Sequence, residues 1–379
     1  MQKEIKYIGF YNLPITECKR AATLAATNKM DYISEILIQE GFTIHIVSPS
    51  WIDDSSSNLN FIRQSTIKVN DRKKITFCPS FITNAKWSRN IKIIFTLCWL
   101  FFWLILHLER NEKILMYHAT WLSIPVRWAK FIRGFKLILE VEEVYGDVSV
   151  IHSYFHTLEN KLFSASDAFL FSTELLSKRI NSNKPYVIIY GIYINYEKLE
   201  LPHNDGKTHL LYAGIIDSHK AGAFNAIECT QYLPGNFILH IIGFGEIPKL
   251  LRRIEELNQT NACKIIFDGT KSGEEFVRYS QSCHLGLSTQ KMDGKYLNSS
   301  FPSKILTYLS LGLRVVSCYV ECVANSRIKS LVTYYNIDTP EAIADAILSI
   351  DFNSQFDSRN LIKQLNDNFA IEIKNLIKN

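Results

Sequence analysis

IKYIGFYNLPITECKRAATLAATNKMDYISEILIQEGFTIHIV, residues 5–47, decides the fold. Ile5 to Phe10 is a short apolar run that stops at the loop Tyr11-Asn12-Leu13-Pro14. Residues 28–40 place Met30, Ile33, Ile36 and Leu37 at helical spacing, and Gly41 ends that helix. Thr43 to Val47 is the next strand. Strand, loop, helix, glycine and strand within about forty residues make a βαβ unit, and hence a parallel sheet. The same alternation predicts strands at 114–117, 136–141, 168–171 and 186–190.

A second series follows the polar stretch 202–208. Strands are expected at 209–213, 237–242, 264–267, 285–288 and 314–318. Helices are expected at 223–232, 247–257, 274–282, 302–311 and from Pro340. Two βα series joined near 191–207 divide the chain into domains at 1–195 and 205–355, with 356–379 crossing back onto the first. A length of 379 residues suits two domains. With 47% apolar and 21% charged residues the chain is too apolar for disorder, and a net charge of +5 is too weak to indicate nucleic acid. Eight cysteines without a C-x-x-C pair give neither a zinc spacing nor a disulfide framework. Free thiols in a reducing cytoplasm are expected, and no signal peptide, because MQKEIKYIGF runs straight into a strand.

Residues 84–136 are unusual. They carry net charge +7 and five of the six tryptophans around the uncharged run Ile93 to Leu108. Sixteen residues fall short of a membrane span. Two readings stay open: a helix buried on the sheet, or a face lying on an anionic membrane surface with Arg127, Lys130 and Arg133 among its cations. On the second reading the protein is peripheral on the inner face of the plasma membrane.

Parallel sheets bind ligands at the carboxyl ends of their strands. Gly9, Gly214, Gly243, Gly245 and Gly269 occupy such ends, most of them in the second half, which favours an anionic ligand there. Pro248 takes the third glycine position of a dinucleotide fingerprint and so disfavours a nicotinamide enzyme. No D-x-D motif stands at a strand end of the second half, so no metal is expected.

LYAGIIDSHKAG (211–222), ILHIIGFGE (238–246), IIFDGT (265–270) and FPSKILTYLSLGLRVVSC (301–318) follow in order. This series resembles the donor-binding domain of GT-B glycosyltransferases, family four and its bacterial capsular-polysaccharide relatives in particular. AATNKMDYISEIL (25–37), the loop at His118 and LILEVEEVY (137–145) resemble the first domain of the same enzymes. The resemblance implies an α/β chain of two Rossmann-like domains facing a cleft. A nucleotide-sugar donor, with no further cofactor, would occupy the second domain, and a glycan or lipid-linked acceptor the first.

By the same resemblance, Lys220 and Lys304 would neutralise the leaving diphosphate. Gly214, Gly243, Gly245, Gly269, Ser299, Ser303 and Thr307 would line the donor site, and Glu142 and His118 would stand on the acceptor side. Family four implies retention of configuration; if the enzyme instead inverts, one of Glu140, Glu142 and Glu143 is placed to act as a base. Two departures stand out. Ile215 replaces the family's usual arginine, and its paired glutamates fall at Ser299 and Thr307. A sugar-nucleotide epimerase and a non-catalytic partner of a glycosyltransferase therefore stay open.

Overall fold

The structure is a computed structural model describing residues 3–13, 19–53, 60–82, 88–148, 152–292 and 301–378. It divides into two compact units: Met1–Ser172 with Leu176–Ile189 and Asn368–Asn379, and Thr173–Leu175 with Tyr190–Asp367.

The first unit contains strands β1 (Glu4–Ile8), β2 (Thr43–Ser48), β3 (Asn60–Ile62), β4 (Ser65–Asn70), β5 (Lys73–Phe77), β6 (Ser80–Ile82), β7 (Lys113–Tyr117), β8 (Lys136–Val141), β9 (Ala168–Phe171) and β10 (Tyr186–Ile188). Its helices are α1 (Leu24–Gln39), α2 (Ser88–His107), α3 (Ser123–Arg133), α4 (Tyr145–Val148), α5 (Ser153–Ala165) and α6 (Glu174–Ile180), the last shared with the second unit. The sheet order is β10-β9-β8-β7-β1-β2-β5-β4, parallel except for the β4–β5 pair. Thr23 caps α1 by accepting from the Ala26 amide, so the helix begins before the periodic run at 28. The β4–β5 hairpin was not expected, because β4 is an exposed edge strand without an apolar run.

The order reverses between β1 and β7, so right-handed crossovers place α1 on one face and α2, α3 and α5 on the other. Neighbours pack in that second layer, α2 on α3 and α3 on α5. One side of α2 is core: Ile93, Leu100, Trp103 and Leu104 are buried, and Trp103 meets His45 edge-on at 5.5 Å. Buried Lys92 donates to the Ile52 carbonyl at 3.0 Å. The other side leaves Ile94, Phe102 and Leu106 exposed, and α3 beside it exposes Trp128, Phe131 (83%) and Ile132. By length and composition α2 could cross a membrane, yet its inner face is committed to the sheet. The buried reading thus holds for the inner side of the helix, and the outer side is exposed.

The second unit contains β11 (Thr208–Ile216), α7 (Gly222–Glu228), β12 (Phe237–Gly245), α8 (Ile247–Thr260), β13 (Lys264–Phe267), α9 (Gly273–Gln281), β14 (Leu285–Ser288), α10 (Ser303–Ser310), β15 (Arg314–Cys318), α11 (Glu321–Ala324), β16 (Val332–Tyr335) and α12 (Pro340–Leu348). Its sheet is parallel throughout, in the order β13-β12-β11-β14-β15-β16, and the order reverses between β11 and β14. The helix expected at 223–232 is shorter, because residues 229–232 tighten into a 3-10 turn. A final helix, α13 (Arg359–Lys378), begins in the second unit and ends in the first. There Phe369 stacks on Tyr32, Lys374 pairs with Glu40 at 2.6 Å, and Lys113 donates to the Leu376 carbonyl. The seven described cysteines are free.

Candidate active site

The strands expected to stop before Gly214 and Gly243 run on through them. Gly214 pairs with Gly243 and Ile216 with Gly245. The three glycines hold φ of +149°, +151° and +132°, a region that disfavours any side chain. A Cβ on Gly243 would overlap the Gly214 carbonyl oxygen, and one on Gly245 that of Ile216. The ladder therefore continues past Gly214 and Gly243, which stand side by side without side chains, to Ile216 and Gly245. The turn at Gly269 closes against it: the Gly243 amide donates to the Gly269 carbonyl at 2.8 Å, and the Thr270 hydroxyl to the Gly243 carbonyl at 3.1 Å.

These strand ends and the first turn of α10 enclose a cavity of about 410 Å³. Gly214, Gly243, Ser303, Lys304 and Thr307 line it, at the point where strand order reverses. The Tyr308 hydroxyl accepts from the Ala213 amide at 2.9 Å and donates to the Leu287 carbonyl, pinning α10 to β11 and β14. Lys304 consequently leans over Gly214, with Nζ 3.8 Å from the centre of the Tyr212 ring. Among the described residues no carboxylate pairs with it. Burial, then the Lys220 charge, hold its amine down at about 7.

Lys220 is exposed in the loop before α7 and contributes to the cavity through that charge rather than as a lining residue. Asp217 accepts from the Lys220 amide, and the next residue, Ala221, holds the left-handed conformation at φ +52°. Thr307 turns its hydroxyl back to the Ser303 carbonyl at 3.1 Å. Gly269 shapes the closing turn, and Ser299 lies outside the described residues. Lys271, which sequence reasoning missed, also lines the cavity; it pairs with Glu275 at 2.8 Å and lies over the Tyr279 ring. Its only sequence signal is its place two residues past a strand-end glycine. No convergent set of three or more His, Cys, Asp or Glu suited to a metal occurs among the described residues.

In the first unit Glu142 follows β8 and is partly exposed, with its carboxylate 3.2 Å from Lys29 Nζ. Lys29 is buried on α1 and also donates to the Ile189 carbonyl. Glu140 is fully buried on β8 and accepts from the Tyr7 hydroxyl. Burial, then the neighbouring Glu142 charge, push its carboxyl up to about 8. Burial, then Glu142, also raise Glu143. Sequence reading found the glutamates and missed Lys29 and Tyr7, which approach from other elements.

His118 departs from the expected open position. It is 2% exposed, stacks on Tyr145 at 4.8 Å, and sets Nε2 3.3 Å from Glu159 Oε1 of α5. Burial depresses it to about 4, so it stays neutral. Its place is inside the helix layer, because Tyr145, Phe163 and Glu159 close over it.

No family model matches the chain, and no curated protein sequence matches it significantly. Solved structures do match along nearly its whole length. A lipopolysaccharide outer core galactosyltransferase in its apo form aligns with TM-score 0.62 at 15% identity, over 99% of each chain. An E. coli trehalose-6-phosphate synthase bound with UDP-2-fluoro glucose aligns with TM-score 0.60 at 11% identity, over 98% of this chain and 96% of the other. The fold is GT-B. A glycosyltransferase from Rickettsia africae aligns with this chain at TM-score 0.59 and 12% identity, over 99% of this chain and 97% of the other. At such identities the likeness establishes the GT-B architecture, and the chemistry rests on the residues described above.

Proposed function

We propose that the chain is a glycosyltransferase that moves a sugar from a nucleotide-sugar donor to a glycan or lipid-linked acceptor in bacterial surface polysaccharide synthesis. One observation carries the reading: Lys304, a half-buried amine without a described carboxylate partner, lines a glycine-built cavity from the first turn of α10. A diphosphate there would meet the Lys304 ammonium, the Lys220 charge and the first-turn amides of α10. As the bond from the sugar to the diphosphate breaks, these groups stabilise the charge that develops on the leaving oxygen, the work a metal does elsewhere. We therefore read the enzyme as metal-independent and, with family four, as retaining. Gly243, Gly245 and Gly269 let the donor approach backbone closely, Ser303 and Thr307 offer hydroxyls, and Ser299 is carried over from the sequence motif alone.

Glu142 is the acceptor-side candidate in this reading, with His118 as a packed residue supporting the loop after β7. The exposed side of α2 and α3, with a groove of about 450 Å³ beside Arg127, Trp128 and Phe131, supports contact with an anionic membrane surface from the cytoplasm. A lipid-linked acceptor would then be taken from that surface.

The test is thermal stabilisation by a panel of nucleotide sugars, followed by transfer assays with the best donor. Lys304→Ala should slow transfer about a hundredfold or more, equivalent to roughly 3 kcal/mol, while preserving the melting temperature. Wild-type turnover in that variant would refute the phosphate assignment. Ser299 and Thr307, where the family carries glutamates, favour a second reading as a non-catalytic partner. Donor binding without transfer to any acceptor would select it, and turnover of the nucleotide sugar by itself would select an epimerase.

A further inference from the structure

The acidic cluster at the end of β8 contains an imbalance of donors and acceptors. Glu140 has no solvent exposure, and its Oε2 accepts from Tyr7. Its Oε1 is buried with no hydrogen-bond donor, and so is Oε1 of Glu142. Lys29 Nζ lies 3.2 Å from that Glu142 oxygen but off the hydrogen-bond direction, and it spends another N–H on the Ile189 carbonyl. The two residues stand two positions apart at the end of β8, and the Glu142 charge acts on Glu140. Two ionised carboxylates there would leave one cation for two charges and two orphaned acceptors, each costly when buried. One proton on Glu140 removes the repulsion. It also supplies the missing donor, because a protonated carboxyl donates through O–H.

We propose that Glu140 and Glu142 share a single proton resident on Glu140, and that Lys29 and Tyr7 fix the pair so that Glu142 alone presents a carboxylate to a sugar hydroxyl. Glu140 and Lys29 are then positioning residues. Four directions supply the groups that act on Glu140: Tyr7 from β1, Lys29 from α1, Tyr117 from β7, and Glu142 from the chain after β8, with Glu143 acting in turn on Glu142. The fully buried position suits a neutral acid, and the partly exposed one suits the carboxylate. The sugar-facing role rests on the glycosyltransferase reading, whereas the position of the proton does not.

The experiment uses the full chain without any substrate, so that its outcome is independent of that reading. Glutamate side chains labelled with carbon-13 at the carboxyl are titrated by NMR. One carboxyl should remain protonated at pH 7 and ionise above it, well apart from the surface glutamates. Glu140→Gln, which keeps an N–H donor toward Glu142, should erase that signal and preserve the fold. Glu142→Gln should lower the midpoint by about one pH unit or more, and Lys29→Met should raise it, since each removes one charge of known sign. A residue with a merely packing role would produce none of these shifts. The proposal is overturned if every wild-type glutamate ionises below pH 6, if the signal survives in Glu140→Gln, or if Glu142→Gln leaves the midpoint in place. Should Glu140→Gln fail to fold, the partly exposed Glu142 variant decides the matter.

Discussion

Lys304 Nζ lies 3.8 Å from the centre of the Tyr212 ring, in space that exists because residue 214 has no side chain. A ring face partly offsets the desolvation of an ammonium, but it supplies no counter-charge. Burial and the Lys220 charge consequently hold the amine at about 7, well below its usual 10.5.

An anion in this cavity should raise the amine again, so binding above pH 7 is coupled to proton uptake. UDP binding measured by calorimetry at pH 8, in buffers of different ionisation enthalpy, should show uptake approaching one proton. The affinity should fall by up to about tenfold per pH unit between roughly 7 and 9. Lys304→Met should abolish the uptake and weaken binding. Pure UDP binding without any proton uptake would place the nucleotide elsewhere.

Gly243→Ala and Gly245→Ala should each destabilise the second unit by at least about 2–3 kcal/mol, because a positive φ and a backbone overlap coincide. Gly206→Ala, at φ +78° in open space, should cost only about 1 kcal/mol. Thermal unfolding of the three variants checks the ranking, and equal midpoints would refute it.

On the proposed function, transfer activity should persist in a strong chelator, with Lys304 and Lys220 doing the work of a cation. A loss of activity on chelation that magnesium or manganese restores would oppose this outcome.

Membrane contact is tested by flotation with anionic vesicles. Wild-type protein should bind, less so at high salt, and Trp128→Ser with Phe131→Ser should reduce binding about tenfold or more. Arg127→Glu should reduce it further. Lys130 and Arg133 are unsuitable probes: Lys130 pairs with Asp167 at 2.6 Å, and Arg133 donates to the Leu108 carbonyl at the end of α2. Their charge reversal would damage the layer itself. Protein that stays unbound at low salt would remove the support for a lipid-linked acceptor.

Acidification should destabilise the first unit partly through His118. Its folded value is depressed to about 4 against an ordinary 6.5, so the unfolded chain takes up the proton first. Stability present above pH 6.5 is therefore lost as pH falls toward 4. His118→Gln should flatten this part of the stability profile measured by denaturant titration. An unchanged slope would show that His118 is not the group responsible.

The parallel parts of both large sheets were legible in the sequence, and the antiparallel β4 edge was not. Strand and helix periods are local, and residues 5–47 display both with a glycine between them. Glycines at strand ends were legible for the same reason, as was the helix beginning near Pro302. Tertiary structure decided what those residues face. Gly214 and Gly243 lie twenty-nine positions apart and become one backbone ladder through strand register alone. Lys29 reaches Glu142 from α1, and Tyr7 reaches Glu140 across β7, because β1, β7 and β8 lie side by side in the sheet. The uncharged run Ile93 to Leu108 likewise left two readings open, and only packing against the sheet and α3 divided α2 into a core side and an exposed one. Local pattern fixes which element forms; the pairing of distant elements fixes which side chains are desolvated together, and that sets their charge and their chemistry.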